Sequence, residues 1–113
     1  SRKKFYTVIL LEHFEFVKFL QDKCDFNINT VLFFYSNNIS HADKSEDIGR
    51  MLDYLNERND KVMIYSFDFN LESKLIEKLK KKYDINQIPT LIVNEKNKLI
   101  DPKNVQEIEK YLK

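Results

Sequence analysis

Ser40, His41 and Asp43 stand close together in "SHADKSEDIG", residues 40–49. A hydroxyl, an imidazole and a carboxylate are the parts of a hydrolytic nucleophile and its base. Neither a strand-elbow motif nor a second catalytic histidine accompanies them, so hydrolysis has no support. Cys24 is the one cysteine, so an internal disulfide is ruled out. Two histidines and one cysteine also lack the ligand spacing of a structural zinc site. His13 lies among charged residues and reads as surface. His41 reads either as a solvated loop histidine or as a base beside a site in the same stretch. What that stretch can do depends on the elements that hold it.

The chain has 113 residues, the size of one domain, and can bury a core without metal or disulfide staples. Hydrophobic residues make up 42% and aromatics 13%, which argues against disorder. The charges nearly cancel, leaving +1. A nucleic-acid binder would be basic overall or carry a basic stripe, so no nucleic-acid partner is expected. The densest cluster is "KLKKK", Lys78–Lys82, near an expected helix C-terminus, where cations suit the helix dipole. No apolar run approaches the roughly 18 residues of a membrane span. "FYTVILL" is too short, so no membrane contact by this domain is expected. The chain begins at "SRKK" without Met and reads as trimmed, which leaves room for an upstream anchor. One thiol does not indicate a compartment.

The elements follow from apolar spacing. Leu10, Phe14, Val17, Leu20 and Cys24 share a helical stripe, and no turn residue interrupts residues 3–21. A helix over about 3–24 is expected, although the aromatic and β-branched content of Phe5–Leu11 also fits a strand. On that stripe Cys24 reads as core; its functional reading is a resolving or regulatory thiol. Val31–Tyr35 is continuously apolar and short, as a strand covered on both faces would be. "NNISHA" reads as a polar loop. Ile48, Met51, Leu52 and Leu55 mark an amphipathic helix over 43–58, with acidic residues in its first turn.

A second strand is expected over 61–67. A second amphipathic helix follows, with Leu71, Leu75, Leu79 and Tyr83 on one face and Asn70 as its N-cap. "TLIV" and "KLI", joined by "NEKN", read as an antiparallel hairpin. "DPKNVQEIEKYLK" closes the chain as a helix burying Val105, Ile108 and Leu112, with Asp101 and Asn104 as candidate caps. The order is α, then β-α-β-α-β-β-α. The first β-α-β requires a right-handed crossover and a parallel pair, and the hairpin adds antiparallel strands. The expected fold class is α/β, a mixed four-stranded sheet with helices on both faces and an extra N-terminal helix. One domain spans 1–113, with 1–28 a helical extension and 29–113 the core.

This order resembles the minimal thioredoxin fold, and three segments carry the resemblance over roughly residues 29–112. "YDINQIPTLIV", Tyr83–Val93, resembles the thioredoxin-family segment in which a Tyr and an aliphatic residue precede a proline, Thr and a strand. That proline is cis in the family and faces the active site, so the resemblance implies a cis Ile88–Pro89 bond. "YSFD", Tyr65–Asp68, resembles the strand end before the second family helix. "FFYSNNISHADKSEDIG" is similar to the strand–loop–helix start whose first helical turn carries C-x-x-C. Counted back from the helix stripe, Ala42-Asp43-Lys44-Ser45 falls on that motif.

The resemblance implies a thiol–disulfide oxidoreductase as parent. Ala42 would stand at the attacking cysteine and Ser45 at the resolving one. Such a thiolate is stabilised at a helix N-terminus, attacks a disulfide and is released by the second thiol. Alanine and serine cannot do this, so the chain is expected to be inactive in that exchange. Ala deletes a side chain and Ser is the nearest oxygen match to Cys, which reads as deliberate removal. Natural loss in a peptide-binding module is the alternative, and a shifted match is a third. The resemblance places Pro89 and the Ile88 backbone at a substrate groove, with Tyr35 and His41 beside it. His41 would lower a neighbouring thiol's pKa, and Lys44, a middle residue of the motif, would tune it. Phe34 reads as core. The implied partner is a protein disulfide or dithiol, or an extended peptide, with no organic cofactor or metal.

Overall fold

Val31, Leu32, Phe33 and Phe34 are all buried because the strand that holds them is covered on both faces. Val31 and Phe33 join one apolar cluster and Leu32 and Phe34 the other, as the two-residue period of a strand requires. This computed structural model describes residues 2–113. In chain order the elements are α1 (Arg2–Lys23), β1 (Asn29–Tyr35), α2 (Ile39–Arg58), β2 (Val62–Asp68), α3 (Lys74–Tyr83), β3 (Thr90–Val93), β4 (Asn97–Ile100) and α4 (Val105–Glu109).

The sheet order is β2-β1-β3-β4. β1 pairs in parallel with β2, placing Tyr35 beside Asp68. It pairs antiparallel with β3, placing Phe34 beside Thr90, and β3 continues antiparallel into β4. Phe14 of α1 and Ile76 and Leu79 of α3 pack on the face of Leu32, Phe34, Tyr65 and Phe67. Ile48, Leu52 and Leu55 of α2 and Ile108 of α4 pack on the face of Val31, Phe33, Leu91 and Val93. Burying side chains of this size stabilises by roughly 1.5–3 kcal/mol each. The expected α/β architecture is the observed one.

Residues 5–11 are helical, not extended. Thr7 is buried, and its hydroxyl donates to the Lys3 carbonyl one turn earlier at 2.8 Å, so this polar β-branched residue is satisfied within the helix. Phe14 then fixes α1 to the sheet, with its ring edge-on to Tyr65 at 5.3 Å between centroids.

Four expectations are corrected. α2 begins at Ile39, four residues before the expected start at Asp43, so two-thirds of the expected polar loop is helical. Asn70 does not cap α3. Ser73 does, its hydroxyl accepting from the Leu75 N–H at 3.2 Å, because the chain first turns through residues 69–73. α4 is confined to Val105–Glu109, with Asn104 as its cap; Asp101 sits outside at φ 47°. Cys24 is exposed, because α1 ends at Lys23 and releases the next residue from the core stripe.

Candidate functional site

β1 and β2 run in parallel, so both deliver the chain to the same edge of the sheet. Three corners meet there: residues 36–38 after β1, residues 69–73 after β2, and residues 86–89 before β3. Asn38 begins α2 in extended conformation, with its carbonyl accepting from the His41 and Ala42 N–H groups at 2.9 and 2.8 Å. The first helical turn is therefore Ile39-Ser40-His41-Ala42.

Ser36 ties these corners together. It is buried, its N–H donates to Ser45 Oγ at 3.2 Å, and its own Oγ accepts from the Asn38 N–H at 3.1 Å. The same hydroxyl donates to Asn70 Oδ1 at 2.5 Å. The Asn70 N–H in turn donates to Asp68 Oδ1 at 2.9 Å. Lys3 reaches Asp68 at 2.8 Å, which holds the Lys3 ammonium above its ordinary pKa and pins the start of α1 at this edge.

Beside the first turn of α2 lies a cleft of about 300 Å³ bounded by Asn38, His41, Phe69, Asn70, Gln87 and Ile88, with Asn86 at its rim. Its walls carry four carboxamides, which can donate and accept at once. The Ile88–Pro89 bond is cis. The Pro89 carbonyl accepts from the Asp101 N–H at 2.9 Å, and Thr90 Oγ1 donates to the Gln87 carbonyl at 2.6 Å. The Ile88 N–H and C=O, by contrast, make no hydrogen bond among the described residues. Ile39, at the tip of the turn, is 98% exposed.

A smaller cleft of about 170 Å³ lies on the other side of α2, bounded by Phe33, Tyr35, Asn37, Ala42, Ser45 and Glu46. The structure therefore splits the expected site residues. His41 and Ile88 share the larger cleft; Ala42, Ser45 and Tyr35 share the smaller. Ala42 closes the first turn, whereas Ser45 is buried in the second and holds the Ser36 amide. Burial pushes the Tyr35 phenol up, so it stays neutral. Lys44 extends outward to Asp101 at 3.5 Å. A hydrogen bond from Lys103, with Lys44 adding to it, holds the Asp101 carboxyl below its ordinary pKa. Phe34 is fully buried.

Cys24 lies at the opposite edge. α1 starts at Asp68, is about 33 Å long, and ends where Gln21 Nε2 donates to the Ile28 carbonyl at 2.7 Å, just before β1. The chain has no C-x-x-C pair. Among the described residues no cluster of His, Cys, Asp and Glu could hold a metal ion. No helix among them is long and apolar enough to cross a membrane.

Solved structures share the fold. Mitochondrial thioredoxin 3 of Saccharomyces cerevisiae matches with a TM-score of 0.59 and 18% identity, over 76% of this chain and 77% of that one. The fold is that of thioredoxin. Thioredoxin O2 of Arabidopsis thaliana matches this thioredoxin fold with a TM-score of 0.60 and 17% identity, over 85% and 82% of the two chains. The Schistosoma mansoni thioredoxin pre-protein matches with a TM-score of 0.57 and 19% identity, over 85% of each. No protein-family model and no curated protein matches the sequence, so the likeness lies in the fold.

Ser36 and Ile39 are the residues that sequence reasoning missed. A small hydroxyl residue directly after an apolar strand, at the head of the polar run Ser36-Asn37-Asn38, was the available signal for Ser36. Ile39 was masked by the polar residues around it.

Proposed function

We propose that this thioredoxin-fold chain is a binding module that holds an extended polypeptide along the Ile88–Pro89 edge and carries out no dithiol–disulfide exchange. The open Ile88 backbone carries the reading. A strand-like peptide laid there gains a donor and an acceptor without breaking any existing bond, which is how strand addition supplies affinity. The carboxamides of Asn38, Asn70 and Gln87 offer further polar contacts, while Ile39 and Phe69 offer apolar ones. The first turn of α2, where the resemblance places C-x-x-C, contains no sulfur. Nor does the second turn, which holds Ser45. The partner is a protein or an extended peptide, and the reading requires no cofactor.

Calorimetric titration with a thiol-blocked unfolded polypeptide tests it. Binding is expected, together with a several-fold weakening in His41→Ala and in Ile39→Asp. Absence of binding, or equal binding by both variants, would overturn it.

One observation favours a second reading, a parent oxidoreductase whose cysteines stood at 42 and 45. Ala42 and Ser45, three residues apart on one helical face, line the same small cleft. Turnover of a protein disulfide by Ala42→Cys/Ser45→Cys would support that reading.

A further inference from the structure

α1 carries two apolar seams. The inner one, Thr7, Leu10, Phe14 and Val17, meets the sheet. The outer one follows the spacing 4-3-4-3-4: Phe5, Ile9, Glu12, Phe16, Phe19 and Lys23. That is the heptad pattern of a helix built to meet another helix. All six residues are exposed, with Phe16 at 58% and Phe19 at 55%. Phe26, just beyond the helix, is exposed as well. Glu12 and Lys23 are the charged members of the seam, and neither has an ion-pair partner among the described residues. They lie about 16 Å apart along the helix, too far to pair with each other.

We infer that this face binds a second copy of the chain, with the two α1 helices antiparallel about a two-fold axis that crosses between Val17 and Lys18. This register sets Phe16 against the partner's Phe19 and Glu12 against the partner's Lys23, each contact occurring twice. It also carries Ile9 past the partner's helix end, toward Phe26 in the segment that follows. Two aromatic layers are thus flanked by two ion pairs, and the surface is self-complementary, as an isologous interface must be. Centring the pair on Glu12 instead would oppose two carboxylates, so charge selects the register. Each half-exposed aromatic ring has on the order of 100 Å² to bury. With Ile9 and the stems of Glu12 and Lys23, the two copies together remove on the order of 1,000 Å² from water, the lower end of specific interfaces. The dimer is therefore weak and depends on concentration. It leaves the Ile88 cleft free.

Sedimentation of the full chain between about 1 and 300 µM tests this, a range that brackets micromolar dissociation constants. The mass is expected to rise toward twice the monomer. Glu12→Lys and Lys23→Glu should each move the midpoint to at least about tenfold higher concentration, through like-charge opposition. The double exchange Glu12→Lys/Lys23→Glu should restore it. Phe16→Asp should abolish the dimer while leaving the unfolding midpoint unchanged at about 1 µM, where the parent is monomeric, because the residue touches no core. A monomer throughout the range would overturn the inference. So would single variants that dimerise like the parent, or a folded double variant that is not restored.

Discussion

Ser36 Oγ donates to Asn70 Oδ1 at 2.5 Å and thereby locks the corner after β1 to the corner after β2. The bond closes one wall of the candidate cleft, since Asn70 lines it directly and Asn38 hangs from the same hydroxyl. Ser36→Ala would leave the Asn38 N–H and Asn70 Oδ1 without a protein partner. Asn38 and Asn70 are exposed residues, so water takes up both groups and the cost is the net worth of two hydrogen bonds, about 0.5–1.5 kcal/mol each. A loss of about 1.5 kcal/mol and a fall of about 8 °C in Tm are expected. Urea unfolding measures the first and a thermal melt the second. A loss below about 0.5 kcal/mol, the level of an ordinary surface substitution, would show that the hydroxyl is not the tie described.

Ser45 is expected to act through structure. Its hydroxyl accepts from the Ser36 N–H, so Ser45→Ala should cost about 1 kcal/mol and leave peptide affinity within twofold. Parallel unfolding and binding titrations separate the two effects.

Much of the fold was legible in the sequence and part of the site was not. β1 could be read because Val31–Phe34 are apolar without a break, and the lower part of α2 because Ile48, Leu52 and Leu55 repeat at helical spacing. The start of α2 was hidden. Ile39 is nearly fully exposed and Ser40 is polar, so neither adds to the apolar stripe. What precedes the helix is a local turn, the Ser36 hydroxyl accepting from the Asn38 amide two residues on, and such a turn adds nothing to an apolar stripe. Asn70 was misread because its side chain serves a residue 34 positions away instead of its own helix. Cys24 kept helical spacing but fell one residue past the helix end.

Exchange chemistry built into this fold should follow the first turn of α2. Ile39→Cys/Ala42→Cys puts both thiols there, where the helix N-terminus favours a thiolate. Ala42→Cys/Ser45→Cys puts the second thiol in the buried second turn. Reduction of a protein disulfide by a chemical dithiol should be accelerated more by the first pair, at least about tenfold. Faster turnover by the second pair would favour the oxidoreductase parent.

Tyr65 makes stability sensitive to alkali. Burial pushes its phenol up to about 12, and its hydroxyl lies 2.7 Å from His13 Nδ1. The unfolded tyrosine ionises near 10, so the folded state favours the neutral form. The contribution is complete below pH ~10 and is lost as pH rises from there through about 12. It amounts to about 2–3 kcal/mol. Urea midpoints measured across that window should fall, and Tyr65→Phe should flatten the fall. An unchanged slope in Tyr65→Phe would contradict the assignment.

Cys24 should react with a thiol reagent at close to the rate of an unstructured cysteine, because it is exposed. Alkylating it should leave peptide affinity unchanged, since it lies at the far edge of the sheet. Slow labelling that needs denaturant would contradict its placement.

The most direct measurement is backbone amide NMR of the chain titrated with a thiol-blocked extended peptide. The account predicts that the largest shifts fall on Ile88, Gln87, His41 and Asn38, with Cys24 unmoved and no covalent adduct in the mass spectrum. Shifts confined to another face, or none at saturating peptide, would contradict it.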